Sequence, residues 1–156
     1  MSQDATPKTD NVITFSADRP GSTLDRLMNE ATNLAQDARD YLTRSQPAAP
    51  VRAKDPQAAV RRLEESVELG RITTRVSMAT AWILARKAVN AGELSVAEGN
   101  EDKWRLGKSE ACTPTDATEY WPQALDALSK RSINLYARIE RLDQDLDRDT
   151  RPPQTS

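Results

Sequence analysis

The sequence predicts an all-α protein, a three-helix bundle built around one long central helix. Apolar residues recur at three- and four-residue spacing over long stretches, which is the period of a helix rather than of a strand. The 156 residues include five glycines and one phenylalanine, a composition that does not suit a β-rich fold with many tight turns. The chain is also long enough to form one domain with a hydrophobic core.

The first helix is predicted to begin at Ser22 and to end near Arg44. Ser22 is followed three residues later by Asp25, an arrangement similar to a capping box. Leucine, methionine and alanine then recur at helical spacing as far as Leu42. The preceding residues, 1–21, are polar with scattered proline and glycine, and we expect them to form a disordered N-terminal tail.

The second helix is predicted to be the longest. Asp55 is a favourable N-cap, and Pro56 suits the first position of a helix. The helical pattern continues to Asn90, after which Gly92 supplies a left-handed stop. Gly70 lies inside this helix, which indicates that another backbone approaches it closely. Such a helix has about 35 residues and spans about 50 Å at a rise of about 1.5 Å per residue.

The rest of the chain is predicted to contain a short helix and a third long helix. The sequence "SVAE" from Ser95 is a second capping box, and a short helix ending near Leu106 is expected to follow it. The third long helix begins around Tyr120, and its apolar residues alternate steps of four and three, the heptad pattern of knobs-into-holes packing. The bundle domain is predicted to cover residues 22–147, and residues 148–156 to form a disordered C-terminal tail.

The second helix carries apolar residues on two nearly opposite sides. One stripe contains Val60, Leu63, Val67, Met78, Ala81, Trp82, Ala85 and Val89. The other stripe contains Leu69, Ile72, Val76, Ala79 and Ile83. Because a surface helix needs only one apolar stripe, the second stripe favours a partner surface, most simply that of a two-fold homodimer. The alternative is that the two other long helices cover one stripe each.

The charged residues are expected to face water. Those of the second helix that share one edge between the stripes are Glu64, Glu68, Arg71, Arg75 and Arg86. On the third long helix, Glu140, Asp143 and Asp147 form an acidic face that would suit a cation. A solvated acidic face is the preferred interpretation, because metal sites of bundles add Glu-x-x-His pairs and the chain has no histidine.

The composition makes catalysis unexpected. Histidine, the commonest general base and metal ligand, is absent, and the single cysteine, Cys112, excludes an intrachain disulfide. The sequence contains no Gly-rich phosphate loop and no nucleophile elbow. We therefore expect no catalytic residue, no metal site and no cofactor.

The charge pattern and the chain's ends indicate a cytoplasmic protein. The net charge of −2 gives no indication of nucleic-acid binding. The charge-free run from Val76 to Ala85 is much shorter than the roughly 20 residues of a spanning helix, so we expect no membrane insertion. A single cysteine fits a reducing cytoplasm, and the polar first residues do not form a signal peptide.

Two stretches resemble a known family. "ITTRVSMATAWILARKAVNAGELS" at 72–95 and "YWPQALDALSKRSINLYARIERLDQDL" at 120–146 are similar to the alphaproteobacterial RcdA family, named for regulated degradation of the cell-cycle regulator CtrA. The resemblance covers roughly residues 22–147. It depends on "TTR" before "AWIL", on the "AVNAGE" stop and on "LYARIERLD" rather than on a catalytic signature.

The resemblance implies an adaptor rather than an enzyme. Members of the family are small homodimeric three-helix bundles that act with the ClpXP protease. They bind the ClpX unfoldase primed by a small receiver-domain protein, and they recruit protein substrates or secondary adaptors. The alternative is a signalling helical dimer that docks receiver-domain proteins without a protease role. We expect the stripe of Leu69, Ile72, Val76, Ala79 and Ile83 to be the dimer or partner surface.

Overall fold

The computed structural model describes residues 22–45 and 55–149, which form three long helices and one short helix. These helices are α1 (Thr23–Ser45), α2 (Pro56–Asn90), α3 (Val96–Gly99) and α4 (Gln123–Asp149). Two short 3-10 turns, Asp102–Trp104 and Glu110–Cys112, lie between α3 and α4. The all-α class predicted from the sequence is confirmed. The predicted tail 1–21 and residues 46–54 and 150–156 lie outside the described residues.

The helix ends follow the capping residues. The backbone N–H of Asp25 donates to Oγ of Ser22 at 3.1 Å, and that of Gln57 donates to the carboxylate of Asp55 at 3.0 Å. Gly92 follows α2 with a φ of 76°, the left-handed conformation expected of a helix stop. The end of α4 at Asp149 lies two residues beyond the predicted end of the bundle.

The capping box at the start of α3 forms as predicted, but the helix is shorter than expected. Oγ of Ser95 accepts from the N–H of Glu98 at 3.1 Å, and the Glu98 carboxylate accepts from the N–H of Ser95 at 2.8 Å. These hydrogen bonds hold the pKa of Glu98 below its ordinary value. The helix ends at Gly99, where a Cβ would overlap the side chain of Val89 on α2.

α1 runs antiparallel to α2. Near the end of α2, the ammonium of Lys87 pairs with Asp25 at the start of α1. At the opposite end of the pair, the hydroxyl of Tyr41 donates to Glu65 at 3.4 Å. Burial raises the pKa of this tyrosine, and the neighbouring Glu65 carboxylate adds to that effect.

α4 runs parallel to α2. Near the start of α4, Oγ of Ser129 donates to Oε1 of Glu68 at 2.6 Å. Near its end, Asp143 accepts a 2.7 Å hydrogen bond from Nε1 of Trp82. Two parallel helices need a connection as long as the bundle, so the chain must return along its full length before α4 begins.

Residues 91–122, the return segment, make that connection along the groove between α2 and α4. Tyr136 of α4 donates to the carbonyl of Gly107 at 2.6 Å, and Arg75 of α2 donates to the carbonyl of Thr113 at 3.1 Å. Burial raises the pKa of Tyr136. The return segment therefore acts as a fourth layer on one side of the three-helix bundle.

The core lies between the three long helices and is closed on one side by the return segment. The heptad seam predicted for α4 forms part of this core. Its fully buried members on α4 are Leu125, Leu135 and Ile139, together with Ser132. Leu106 and Cys112 enter the core from the return segment, and Cys112 Sγ lies 3.3 Å from Sδ of Met78.

Candidate protein interface on the second helix

The stripe predicted as the partner surface lies inside the subunit. Ile72, Ala79 and Ile83 have 0% exposed surface and Val76 has 7%, while Leu69 is half-buried against the core. These five residues therefore do not form an exposed surface on the single subunit, and their role as a dimer or partner surface stays a prediction. α1 and α4 approach α2 from neighbouring directions rather than from opposite sides, so together they cover this one stripe.

The other stripe of α2 is divided between the core and the surface. Trp82 and Ala85, in its second half, are buried against the rest of the bundle. In its first half, Val60, Leu63 and Val67 are 53%, 65% and 48% exposed. The alternative hypothesis was that the two other long helices cover one stripe of α2 each. It is also incomplete, because the described chain leaves the first half of this stripe largely exposed.

From Leu63 onward, the charged residues of α2 are directed toward other parts of the subunit, whereas Arg62 near the start of the helix is exposed. Between Leu63 and Ala88, none of the charged side chains is exposed, and each makes a hydrogen bond to another part of the described subunit. These residues are Glu64, Glu65, Glu68, Arg71, Arg75, Arg86 and Lys87. The predicted water-facing charged edge is in fact the side of the helix that meets α1, α4 and the return segment.

The centre of this inward arrangement is a buried ion pair. Nη1 of Arg75 lies 3.0 Å from Oε1 of Glu68, and both side chains are at most 1% exposed. Arg75 also donates to Oγ of Ser132 at 3.0 Å, and Ser129 donates to the same Glu68 oxygen at 2.6 Å. Helical periodicity does not reveal such a pair, since the two serines that complete it are distant in sequence.

The predicted acidic face of α4 is divided between a second buried network, at Asp143, and the solvent, since Asp147 is 68% exposed. Asp143 is buried and accepts from Trp82 at 2.7 Å and from Nε of Arg105 at 2.8 Å. Arg105 also pairs with Asp147 at 2.7 Å. Hydrogen bonds to Asp147 and Asp143 raise the pKa of Arg105, and the same contact with Arg105 lowers the pKa of Asp147. Glu140 instead lines a shallow cleft with Cys112 and Tyr136.

Within residues 22–45 and 55–149, the structure contains no group of three or more His, Cys, Asp or Glu side chains placed to hold a metal ion. Within the same residues, no helix is long and apolar enough to cross a membrane.

The side of α2 that points away from the bundle carries no charge from Leu63 to Leu84, over about six turns. We call it the outward face. Its exposed residues are Leu63, Ser66, Val67, Gly70, Thr73, Ser77, Ala81 and Leu84. A solvated face of a long helix usually carries Glu, Lys and Arg, whereas this one carries small and aliphatic side chains. Within the single subunit no backbone approaches Gly70, because no atom lies within 4 Å of a Cβ built there.

An apolar cleft lies on each side of the outward face. Between α1 and α2 there is a groove of about 300 Å³ whose floor contains Leu69, Ile72 and Val76 and whose wall includes the exposed Leu42. Three of the residues predicted as partner surface therefore reach a concave site, although they are not exposed as a flat one. Between α2 and the return segment, Val67 helps to line a second cleft of about 260 Å³.

The comparisons with known proteins extend over most of the chain. A model of the family described as "Protein of unknown function (DUF1465)", which is the RcdA-type family, matches residues 18–156. The chain belongs to this family. A search of curated proteins found no match.

A solved RcdA structure supports the same assignment. The crystal structure of RcdA from Caulobacter crescentus CB15 matches with a TM-score of 0.52 and 27% sequence identity, covering 81% of this chain and 92% of that chain. The RcdA resemblance identified from the sequence is confirmed.

Proposed function

We propose that this RcdA-type protein is a non-enzymatic, cytoplasmic adaptor that helps deliver substrates, such as a cell-cycle transcriptional regulator, to the ClpXP protease. The observation that carries the proposal is the similarity to RcdA over 81% of this chain and 92% of the RcdA chain. An adaptor works by effective concentration, because binding protease and substrate together makes their encounter intramolecular. That task needs interaction surfaces on a rigid spacer, and a bundle with a 35-residue helix supplies both.

The outward face supports a homodimer as the working form. In a two-fold interface each surface meets its own copy, so charged residues near the axis, or a surface of one sign, would face like charges. The outward face has no charged residue, and its glycine, serine and alanine let a second helix approach closely. The homodimer predicted from the sequence is thus retained, with the outward face in place of the buried stripe.

The proposed partners are the ClpX unfoldase primed by a receiver-domain protein, and protein substrates or secondary adaptors. The test is a pull-down with the immobilised full-length chain and three samples: ClpX alone, the receiver-domain protein alone, and the two together. We expect retention of ClpX to increase when the receiver-domain protein is present. A second readout is the rate at which ClpXP degrades the substrate, which should rise at least severalfold on addition of the chain.

The possible outcomes separate the proposal from its alternative. Retention of the receiver-domain protein without ClpX would support the signalling dimer that has no protease role. Retention of neither protein, alone or together, would overturn both functions. An engineered ClpXP substrate that needs no adaptor serves as the control, since its degradation rate should be unchanged by the chain.

A further inference from the structure

We infer that two copies pair through antiparallel α2 helices, with Leu84 of each copy inserted into the groove between α1 and α2 of the other. The inference rests on the homodimer proposed above and specifies its geometry. The two features that it joins are a concave apolar site and an exposed aliphatic side chain, both at the edge of the outward face.

The groove is an apolar site with no occupant in the described chain. Its floor is formed by Leu69, Ile72 and Val76, and Leu42 on its wall is 49% exposed. Its remaining lining consists of the small residues Ala35, Ala38, Thr73 and Ser77 and of the exposed Arg39. The apolar floor and wall favour an aliphatic side chain, because burial of apolar surface is favourable, while the exposed Arg39 can keep its guanidinium in water.

Leu84 is the complementary feature. It is 54% exposed and lies eleven residues after Thr73, which lines the groove. Eleven residues are about three helical turns, so both positions lie on the same edge of α2, roughly 16 Å apart along its axis. That edge faces α1, on the same side of the helix as the groove.

A two-fold axis halfway between these positions brings each leucine to the other copy's groove. When two helices are antiparallel and related by a two-fold axis, corresponding edges lie on the same side of the pair. Leu84 of one copy then meets the level of Thr73 in the other, next to its groove. Near the axis lie Ser77 and Ala81, whose short side chains permit a close approach of the two helices.

The same register also places the other exposed aliphatic residues of α2 opposite apolar surface. It aligns Leu63 and Val67 with the end of the partner's α2, next to α3, where Val96 is 57% exposed. Leu63 and Val67 lie on the edge of the outward face that is nearer the return segment, and Val96 belongs to that segment. The two-fold axis therefore brings these two residues and the partner's Val96 to the same side of the helix pair. A parallel pair would place them far from Val96.

The extent of this surface fits a stable dimer. From Leu63 to Ala88, α2 spans about 38 Å, and a strip about two helices wide gives about 750 Å² per copy, close to the roughly 800 Å² per partner of standard interfaces. Because no charged side chain on the outward face is exposed, the two copies can meet without placing like charges opposite each other.

Disulfide cross-linking tests the register. Cys112 is the chain's one cysteine, so a Cys112→Ser chain carries only introduced thiols. In that background we expect the Thr73→Cys/Leu84→Cys variant to form a covalent dimer under mild oxidation. The two thiols of one copy cannot bridge each other, because they lie roughly 16 Å apart and a disulfide needs Cα atoms within about 7 Å.

The single variants are the matched controls. In the antiparallel register each introduced residue lies far from its own counterpart, so Thr73→Cys alone and Leu84→Cys alone should give no covalent dimer. Cross-linking of either single variant, with none added by the double variant, would indicate a parallel pair and overturn the inference.

The state of the unmodified chain separates this inference from the homodimer on which it rests. Light scattering of the wild-type chain gives its mass before any oxidation. A wild-type dimer whose double variant does not cross-link overturns the register alone. A wild-type chain that is monomeric at high concentration overturns the homodimer and the register together, whereas retention of ClpX in the pull-down tests the adaptor role independently.

An independent readout is the dimer dissociation constant. We expect Leu84→Asp to raise it at least tenfold, while Ala127→Asp, on an exposed position of α4, leaves it unchanged. Circular dichroism of both variants checks that the subunit remains folded. Equal dissociation constants for the two variants would contradict the insertion of Leu84.

Discussion

Arg75 is fully buried, and its guanidinium is held by a carboxylate, a serine hydroxyl and a carbonyl of the return segment. It thereby joins α2 to α4 and to the segment that covers them. A buried charge is stable only when it is paired and hydrogen-bonded, so each partner depends on the other. This one side chain therefore links α2, α4 and the return segment.

Removing Arg75 should strongly destabilise the subunit. Arg75→Met leaves Glu68 as a buried carboxylate without its closest cation, since Arg71 lies 3.9 Å from its Oε2, and this costs roughly 3–5 kcal/mol of unfolding free energy. Urea denaturation followed by circular dichroism measures the change. The double variant Glu68→Leu/Arg75→Met should lose less stability than Arg75→Met alone, because it leaves no uncompensated charge.

The control for this prediction is an ion pair on the surface. Arg148 pairs with Asp145 at 3.1 Å, but its side chain is 80% exposed. Arg148→Ala should change the unfolding free energy by less than about 0.5 kcal/mol, because solvent screens exposed pairs. If the two arginine variants were equally stable, the interpretation of Arg75 as a structural centre would be wrong.

The contact between Asp25 and Lys87 makes the free energy of unfolding depend on pH in the acidic range. The hydrogen bond from Lys87, with a smaller one from Ser22, holds the pKa of Asp25 below its ordinary value of 3.8. The unfolded chain therefore binds the proton more readily, so this contribution to stability is present above the ordinary pKa and is lost as the pH falls through the lower folded-state value.

We expect the urea midpoint to be steady at neutral pH and to fall steeply below about pH 4. Asp25→Asn removes the titrating group and should reduce the steepness of that fall. Lys87→Met removes the partner of Asp25 and should likewise make the fall of the urea midpoint with pH less steep. An acid profile that neither variant changes would show that the fall arises from other carboxylates.

At the scale of elements, the glycines of α2 and α3 have opposite roles. Gly70 lies in the interior of α2, and no atom lies within 4 Å of a Cβ built there. At Gly99 the same Cβ would overlap Val89, and the carbonyl of Gly99 accepts a hydrogen bond from Arg86. Gly99 therefore allows α3 to pack directly on α2, whereas Gly70 has no such role within the subunit.

The same substitution should consequently act in opposite directions at these positions. Gly70→Ala should stabilise the dilute subunit by about 0.5–1 kcal/mol, because alanine is the better helix former. Gly99→Ala should destabilise it by roughly 1–3 kcal/mol, because the close contact with Val89 must open. Thermal denaturation of both variants at low concentration measures this. Equal shifts would mean that helix propensity, rather than packing, dominates at both sites.

At the scale of the whole molecule, α2 exposes an uncharged face. Between Leu63 and Ala88 its charged residues lie inside the subunit or at the edges of the helix, its buried stripe fills the core, and the small and aliphatic residues of the outward face remain exposed. An isolated subunit would expose that face to water. Association of two copies removes it from water, so assembly and stability should be linked.

We expect the thermal midpoint of the chain to rise with protein concentration. For a dimer, a hundredfold increase above the dissociation constant raises the midpoint by roughly 5 °C, because the partner binds the folded state alone. Differential scanning fluorimetry over that range measures the shift. The Leu84→Asp variant should have a midpoint independent of concentration, and the same slope for both chains would contradict a dimer through this face.

The positions of the helices could be predicted from the sequence to within a few residues, because their signals are local. Ser22, Asp55 and Gly92 act on the backbone groups beside them, and these residues begin or end helices as expected. The spacing of leucines on α4 likewise predicted a buried seam, which is present. The RcdA resemblance also came from the sequence, since it depends on runs of residue types.

Which side of α2 faces inward could not be predicted in this way. Periodicity shows that Ile72 and Leu63 lie on different stripes, but not which stripe α1 and α4 will cover. That choice depends on two parallel helices, on the return segment between them, and on a pair such as Glu68 and Arg75 that is completed by Ser132 of α4. The sequence by itself determined the helices and the family. Only the tertiary structure decided which residues are surface, because burial depends on neighbours that are distant along the chain.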